Sequence, residues 1–457
     1  VTALSHTYQY SGPSELVAVE RGQALRLMTS GGGAPRPYFF EGRLLQPRLT
    51  AQALRALSRV VGTRFYIPPA MLHRILLEAD PVVTCGRGML RFEGFSSCAS
   101  TYARVDLTPE AYEGDVASFG TTNVDFNAPM RAALATVRAE DPLALSVGHA
   151  EVALQRGEAR VVERKVPLPL RWLKGFAEVQ AYLSRLTPFA ELPATEALRF
   201  LRGLPRTRTD KRPHYLVPQG RSVRLSSTAA TGAMRLTGLE RLRVLEDLVP
   251  FAKRLVLHAD PRGQASAFVL DLGALRFTLA LSGEVWRGFS GEGQTLSALA
   301  QRPAVEQVLS TLRAELRWEA VLEPRALASK LSAPEDLVWH GLQVLGVRGL
   351  VGFDSQTAAF FHRELPFDLE QVEALAPRLS DARALLEAGA LEPDASTPSA
   401  WWVRGADVTY HAVLDADGEP LRCGCPWFSR HALERGPCKH LLAAQLHVQR
   451  AEDPDAS

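Results

Sequence analysis

Apolar residues along this chain change their spacing several times, and each change marks a new structural unit. In residues 50–61, Leu54, Leu57 and Val61 recur at helical intervals, with Thr50 placed to cap the N-terminus. Residues 69–77 repeat the helical spacing, with Pro69 in the first turn. Around these lie extended patterns, an apolar run at 37–40 and a strict alternation at 101–107. From residue 141 the pattern turns to β, with short strands expected at 143–147, 151–155 and 159–166. Pro167 and Pro169 break it, a helix is expected over 172–186, and strands at 254–257, 267–270 and 275–281 read as the rest of a sheet. The expected fold class is α+β and multidomain. It comprises a mixed α+β N-terminal region over 1–140 and a β-rich α+β region over 141–300.

Beyond residue 300 the rhythm becomes helical. Val305, Val308, Leu312, Leu316 and Ala320 line one face of a helix expected over 305–321. A short helix at 325–331 and a third at 335–347 follow, then a hairpin from 350–353 and 358–363. Three helices and a β-hairpin in that order is the winged-helix layout, so residues 301–390 are expected to form a helical, winged-helix-like module. A further helix over 369–388 leads to a linker at 392–399 and a small C-terminal unit over 398–450.

Composition narrows the class without naming a function. The chain has 457 residues, 46% of them hydrophobic and 22% charged, the profile of an ordinary globular protein. A formal charge of +2 gives no global mandate for nucleic acid, so any such binding must come from local patches. No apolar run reaches the ~18 residues of a membrane span and no signal peptide opens the sequence, so a cytoplasmic location without membrane contact is expected. Cys85 and Cys98 could pair in principle, but free thiols needed elsewhere point to a reducing compartment. Heavy use of Ala, Leu, Arg and Gly fits a GC-rich bacterial genome.

The sharpest chemistry lies near the C-terminus. Cys423 and Cys425 form a CxC pair, twelve residues intervene, and Cys438 and His440 form a CxH pair. Two close-set pairs on a short arm supply the four N/S ligands that zinc takes in a tetrahedron. Buried thiols or a disulfide are the alternative, although a CxC disulfide closes a strained ring. Four protein ligands leave no position for a reactive water, so one structural zinc is expected. Residues 409–413 and 419–422 can pair as strands across a turn at Asp415–Gly418, and 439–447 reads as a helix carrying His440 in its first turn.

At these residues the chain resembles the SWIM zinc finger, whose pattern is CxC, a variable arm and CxH on a strand-strand-helix unit. Residues 120–127 and 162–175 also resemble segments of large bacterial SWIM zinc-finger proteins. That resemblance implies a component of an ATPase-linked assembly, with a MoxR-type ATPase or a von Willebrand A-domain protein as partner. It implies no reaction.

Contact surfaces are less sharply drawn. Between Arg202 and Arg224 seven cations face one acid, Asp210; Arg206, Arg208, Lys211 and Arg212 are the candidates there for phosphate or an acidic partner. On the finger, Arg430, Arg435 and Lys439 are the corresponding cations. The third helix of the 301–390 module opens with Glu335 and Asp336, which repel phosphate, so DNA contact is expected to be non-specific. No GxSxG, Walker A or HExxH motif occurs. Residues 121–127 are rich in carboxylate and amide oxygens, which suit a hard cation or an Asx-stabilised turn. The leading expectation is a non-enzymatic zinc-binding adaptor that contacts protein, nucleic acid or both. The alternatives are a DNA-binding regulator using the finger, the winged helix and loop 202–224, and an enzyme of unrecognised type in residues 1–300.

Overall fold

The structure is a computed structural model that describes residues 15–19, 22–28, 38–65, 81–116, 118–123, 128–148, 151–155, 170–206, 212–289, 293, 295, 303–365, 377–405, 407–416 and 418–452. The first part of the chain forms β1 (Glu15–Val19), β2 (Gly22–Met28), β3 (Tyr38–Leu44), α1 (Pro47–Gly62), β4 (Val82–Gly86), β5 (Met89–Phe95), β6 (Thr101–Leu107), β7 (Tyr112–Val116), β8 (Gly120–Asn123), α2 (Ala128–Ala135), β9 (Leu143–Gly148) and β10 (Glu151–Gln155). Next come α3 (Leu170–Leu183), β11 (Thr187–Pro193), α4 (Ala194–Arg202), β12 (His214–Gln219), β13 (Ser222–Ser226), β14 (Met234–Leu236), β15 (Arg254–Ala259), β16 (Ala265–Asp271) and β17 (Leu275–Ser282). The helix expected at 69–77 and the strand at 159–166 lie outside the described residues.

The division expected near residue 141 is not a break between sheets. A six-stranded sheet runs β1-β2-β10-β9-β3-β7 and an eight-stranded sheet runs β11-β15-β16-β17-β6-β5-β4-β8. Each draws strands from both sides of that residue, because β17 pairs along β6 and β9 along β3. Local periodicity could not report these long-range pairings. Helix α1 also begins earlier than expected, with Pro47 in its first turn; Thr50 is buried and donates its backbone N–H to the Gln46 carbonyl at 2.9 Å.

The eight-stranded sheet has two unlike faces. One is apolar, with Leu255, Leu270, Phe277, Val105, Phe92 and Val83 in cross-strand register. Helix α1 lies on this sheet so closely that a Cβ on Gly94 would fall 2.6 Å from the Val61 side chain. The opposite face carries a row of alternating charge: Arg254, Asp271, Arg276, Asp106 and Arg91 stand opposite one another on successive strands. Arg254 donates to Asp271 at 3.0 Å, Arg276 to Asp106 at 3.2 Å, and Arg91 to Asp106 at 2.7 Å. Alternation at 101–107 suggests a strand with one wet face, yet every residue of β6 is buried.

The cover is the segment that follows residue 300. Helices α5 (Pro303–Glu315), α6 (Pro324–Leu331) and α7 (Glu335–Val347) lead into a hairpin of β18 (Val351–Asp354) and β19 (Ala359–His362), the order expected. The first helix stops at Glu315 rather than continuing to 321. Arg317 and Trp318 take φ of 40° and 61°, and the Trp318 amide donates to His362 Nδ1 at 2.7 Å. Both hairpin strands are buried throughout, so the hairpin is no free wing. Trp339 of α7 packs edge-on against Phe353 and Phe360, which ties helix and hairpin together.

Asp354, at the end of β18, locks this hairpin to the sheet. It meets Arg104 at 2.8 Å and Arg276 at 2.7 Å, and Arg91 lies 3.6 Å from the centre of the Phe361 ring. Burial alone would raise the Asp354 carboxyl, but Arg104, Arg276 and Arg91 outweigh it and hold it well below the usual carboxylate range. Beside this cluster, buried Glu93 accepts from Tyr102 and from Arg363, whose guanidinium also donates to the Phe176 carbonyl of α3 at 3.3 Å.

The C-terminal part contains α8 (Pro377–Glu387), β20 (Leu391–Pro393), β21 (Ala400–Arg404), β22 (Thr409–Leu414), β23 (Pro420–Cys423), α9 (Pro426–His431) and α10 (Lys439–Glu452). The linker expected at 392–399 is instead partly strand, since β20 is the first member of a β20-β21-β22-β23 sheet. Ala177 of α3, Val347 of α7, Leu379 and Ala382 of α8, and Leu442 and Ala443 of α10 share one buried cluster, so the finger is packed onto the body. Among the described residues no helix is long and apolar enough to cross a membrane.

Replacing Asp354 by Asn is expected to destabilise the chain by about 3–5 kcal/mol, because it leaves the arginines of the row short of a buried carboxylate. The folded-state carboxyl is depressed, so its contribution is complete above an unfolded value of about pH 4 and is lost as pH falls toward the folded value. Chemical denaturation of both proteins as a function of pH should show the difference constant near neutrality and shrinking below about pH 4.

Candidate metal centre

The C-terminal sheet and helix bring four ligands together from three kinds of local structure. Cys423 ends β23, where pairing with Ala412 points it to the buried side of the sheet. Cys425 caps α9: its sulfur accepts the Phe428 amide at 3.4 Å, and Pro426 occupies the first turn, where an amide would have no helical partner. Cys438 immediately precedes α10 and its carbonyl accepts the Leu442 amide at 3.0 Å, which places His440 in the helix's first turn. Tyr410 of β22 stacks on the His440 ring at 4.6 Å and 34°, fixing its orientation.

The ligand atoms lie within 4.8 Å of one another and all four residues are buried. His440 Nδ1 is 3.8 Å from the Cys423 sulfur and 3.9 Å from that of Cys438. A tetrahedral zinc with ordinary bond lengths requires an S···N edge of about 3.6 Å, so the donor set fits the ion in number, chemistry and spacing. Hydrogen bonds from Cys423 and Cys438 lower the Cys425 thiol, while those to Cys425 and Cys438 raise Cys423. Three thiols this close together need a dication before all can be thiolates. Cys423, Cys425, Cys438 and His440 hold one zinc ion, and a tetrahedron closed by four protein ligands is structural.

The arm between the two pairs is anchored from outside. Arg378, in the first turn of α8, donates to the carbonyls of Arg435 and Pro437, both at 2.8 Å, and so sets the approach of the chain to Cys438. Its guanidinium also lies 4.5 Å from the centre of the Trp427 ring. Residues 407–449 match the family model of the SWIM zinc finger. This segment is a SWIM zinc finger. The match stops short of β20 and α8, although both help to build the unit. No curated protein matches the chain. Among solved structures it is similar to the proliferating cellular nuclear antigen of Entamoeba histolytica, with 10% identity over 54% of this chain and 98% of that chain. The TM-score of that match is 0.37.

The expected contact residues fare unevenly. Arg206 pairs with Glu246 at 3.4 Å and Arg212 is exposed, whereas Arg208 and Lys211 lie outside the described residues. Arg430 of the finger is exposed, but Lys439 pairs with Asp381 at 3.5 Å and the Arg435 guanidinium lies 5.0 Å from the Trp427 ring centre. The last two cations therefore help to hold the finger in place. Trp401 and Trp402 point to opposite faces of β21. Trp401 packs on the finger core, whereas Trp402 is 44% exposed and stacks on His411 at 4.6 Å. Trp427 and Phe428 pack against the finger core.

Cys85 and Cys98 are buried and not bonded to each other, and burial pushes the Cys85 thiol up to about 12, which makes it inert. In the oxygen-rich 121–127 stretch, Thr121 accepts the Glu364 amide at 3.0 Å and lies 3.2 Å from Thr84; residues 124–127 are outside the described set. Sequence reading passed over Arg378, because its role depends on a contact 57 residues away with Arg435.

Cys438→Ser is expected to abolish zinc binding and melt the 400–450 unit, since metal binding is folding energy in so small a core. The body should retain a separate cooperative transition. Elemental analysis together with far-UV circular dichroism checks both outcomes.

Proposed function

We propose that this chain is a non-enzymatic adaptor in which zinc fixes the finger and the outer face of the finger sheet binds a protein. Trp402 carries this reading. A large aromatic side chain that could have joined the finger core instead stands 44% exposed on the face opposite it. Tryptophan is among the residues that most often anchor protein interfaces. Asp394 supports the same face by meeting His411 Nε2 at 2.9 Å, which steadies the ring on which Trp402 stacks.

Two further features favour an adaptor over an enzyme or a sequence-reading DNA regulator. The buried acids of the body, Asp106 and Asp354, are held below the usual carboxylate range by arginines under the hairpin and are engaged there. In α7 the first turn exposes Glu335 and Asp336, and His340 Nδ1 donates to the Asp336 carbonyl at 2.7 Å. A helix opening with two exposed carboxylates is a poor grip on phosphate. The resemblance of other segments to large bacterial SWIM proteins supports placing the adaptor in an ATPase-linked assembly, with a MoxR-type ATPase or a von Willebrand A-domain protein as partner.

Capture from source-cell lysate on the full-length tagged chain, after nuclease treatment, should recover a protein partner. Trp402→Ala should reduce that recovery about tenfold while zinc content stays at one per chain. Undiminished capture by the variant would remove the finger face from the interface, and capture that disappears with nuclease would favour nucleic acid.

A further inference from the structure

In the register of the finger sheet, Trp402 stands between two unlike neighbours. Glu392 of β20 lies directly opposite it on one side and His411 of β22 on the other, all three on the face turned away from the finger core. The imidazole covers one face of the indole, with 4.6 Å between ring centres and 39° between planes. Asp394 fixes that imidazole from the next position along β20, meeting His411 Nε2 at 2.9 Å while its own amide donates to the Ala400 carbonyl at 2.9 Å. The Ser396 amide and hydroxyl hold the Asp394 carboxyl down to about 2, so it is ionised at neutral pH. With one side of the indole covered, its other side is turned toward β20 and solvent. Glu392 is exposed there and, among the described residues, pairs with no cation. Cross-strand neighbours on one face have Cβ atoms ~5 Å apart, so the carboxylate and the open ring face border one slot. The two arginines of this face are placed elsewhere. Arg404 donates to the Gly389 carbonyl at 3.4 Å, and Arg422 stands opposite Val413 on the far side of β22.

An indole face is electron-rich, and a cation lying between it and a carboxylate is attracted by both. We propose that the slot between Trp402 and Glu392 receives an arginine side chain carried on a short segment of the protein partner. The inference rests on the protein-adaptor reading of this face and names what the face recognises. Arginine suits the slot better than lysine, because a planar guanidinium stacks on the indole while its N–H groups fork to the carboxylate. Charge selects against nucleic acid, since Glu392 and ionised Asp394 both repel phosphate. Size selects against a second copy of this chain. Four strands of 3, 5, 6 and 4 residues, ~4.8 Å apart and rising ~3.3 Å per residue, give a face of roughly 14 by 20 Å. That is well below the ~800 Å² each partner commits to a stable interface, but ample for one segment.

Fluorescence anisotropy on the full-length zinc-loaded chain tests this with fluorescein-labelled probes. The first is a short peptide alternating arginine with glycine. Two others carry citrulline or glutamate in place of each arginine, and the last is an oligothymidylate of the same length. The arginine peptide should bind most tightly, and citrulline, which keeps the shape without the charge, should weaken binding about tenfold. Glu392→Gln should weaken the arginine peptide about threefold. Trp402→Leu, which keeps an apolar side chain but no π face, should weaken it about fivefold, whereas Trp402→Phe should retain part of the affinity. Glu335→Gln with Asp336→Asn, exposed carboxylates of α7, should leave it unchanged. Unaltered zinc content and melting temperature establish that each variant is folded. The proposal is overturned by no binding of the arginine peptide, or by equal or tighter binding of any other probe. Full affinity in Trp402→Leu, or equal losses from Glu392→Gln and the α7 pair, would also overturn it. Partner capture that depends on Trp402 but is indifferent to Glu392→Gln would remove the arginine slot while leaving the adaptor reading intact.

Discussion

Asp354 faces three guanidiniums of a sheet that its own strand never joins, and the architecture follows from that meeting. Removing two carboxylates and three arginines from water is costly, and close reciprocal pairing must offset the loss. The row across the eight-stranded sheet supplies part of this through Asp106, but Arg104 and Arg276 also need Asp354 to complete their surroundings. A hairpin displaced by one residue would turn Asp354 to the opposite side and leave buried charge without a partner. The contact therefore specifies a single docked position, which an apolar interface of equal area would do less sharply.

From this point order passes outward through ordinary packing. Arg363, just after the hairpin, binds Glu93 on the sheet and a carbonyl of α3. Gly346 of α7 rests against the Gln180 side chain of α3, where a Cβ would fall 2.1 Å from the amide nitrogen and force it to shift. Ala177 and Val347, on these same two helices, then form the small apolar seat that receives α8 and α10. Helix α8 in turn presents Arg378 to the finger arm, so the zinc ligands stand at the end of a continuous series of contacts that begins in the body.

What could be read from the sequence follows the range of the interaction responsible. The zinc ligands were legible because CxC and CxH are local spacings whose chemistry does not depend on the rest of the fold. The strand at 101–107 was legible as a strand, but not its surroundings. Tyr102, Arg104 and Asp106 look like a solvent face until a hairpin 250 residues later covers them, as when Arg104 donates to the Phe353 carbonyl across 249 positions. The apolar spacing from 305 runs on past the true end of the helix because nothing local announces the left-handed turn at Arg317 and Trp318. That turn is held by Arg87, whose amide donates to the Trp318 carbonyl at 2.7 Å, and by His362. The apparent linker at 392–399 concealed a strand because three residues ending in proline carry almost no periodicity of their own.

The anchoring of the arm by Arg378 bears on how such a finger can travel between proteins. The segment recognisable by family pattern, 407–449, contains all four metal ligands but not the guanidinium that holds Arg435 and Pro437, nor the outer strand β20. The heritable motif is thus smaller than the mechanical part. A recombination that moved the motif alone would carry the coordination chemistry while abandoning its scaffold. The portable unit begins at α8, and its border is drawn by a side chain that the motif does not contain.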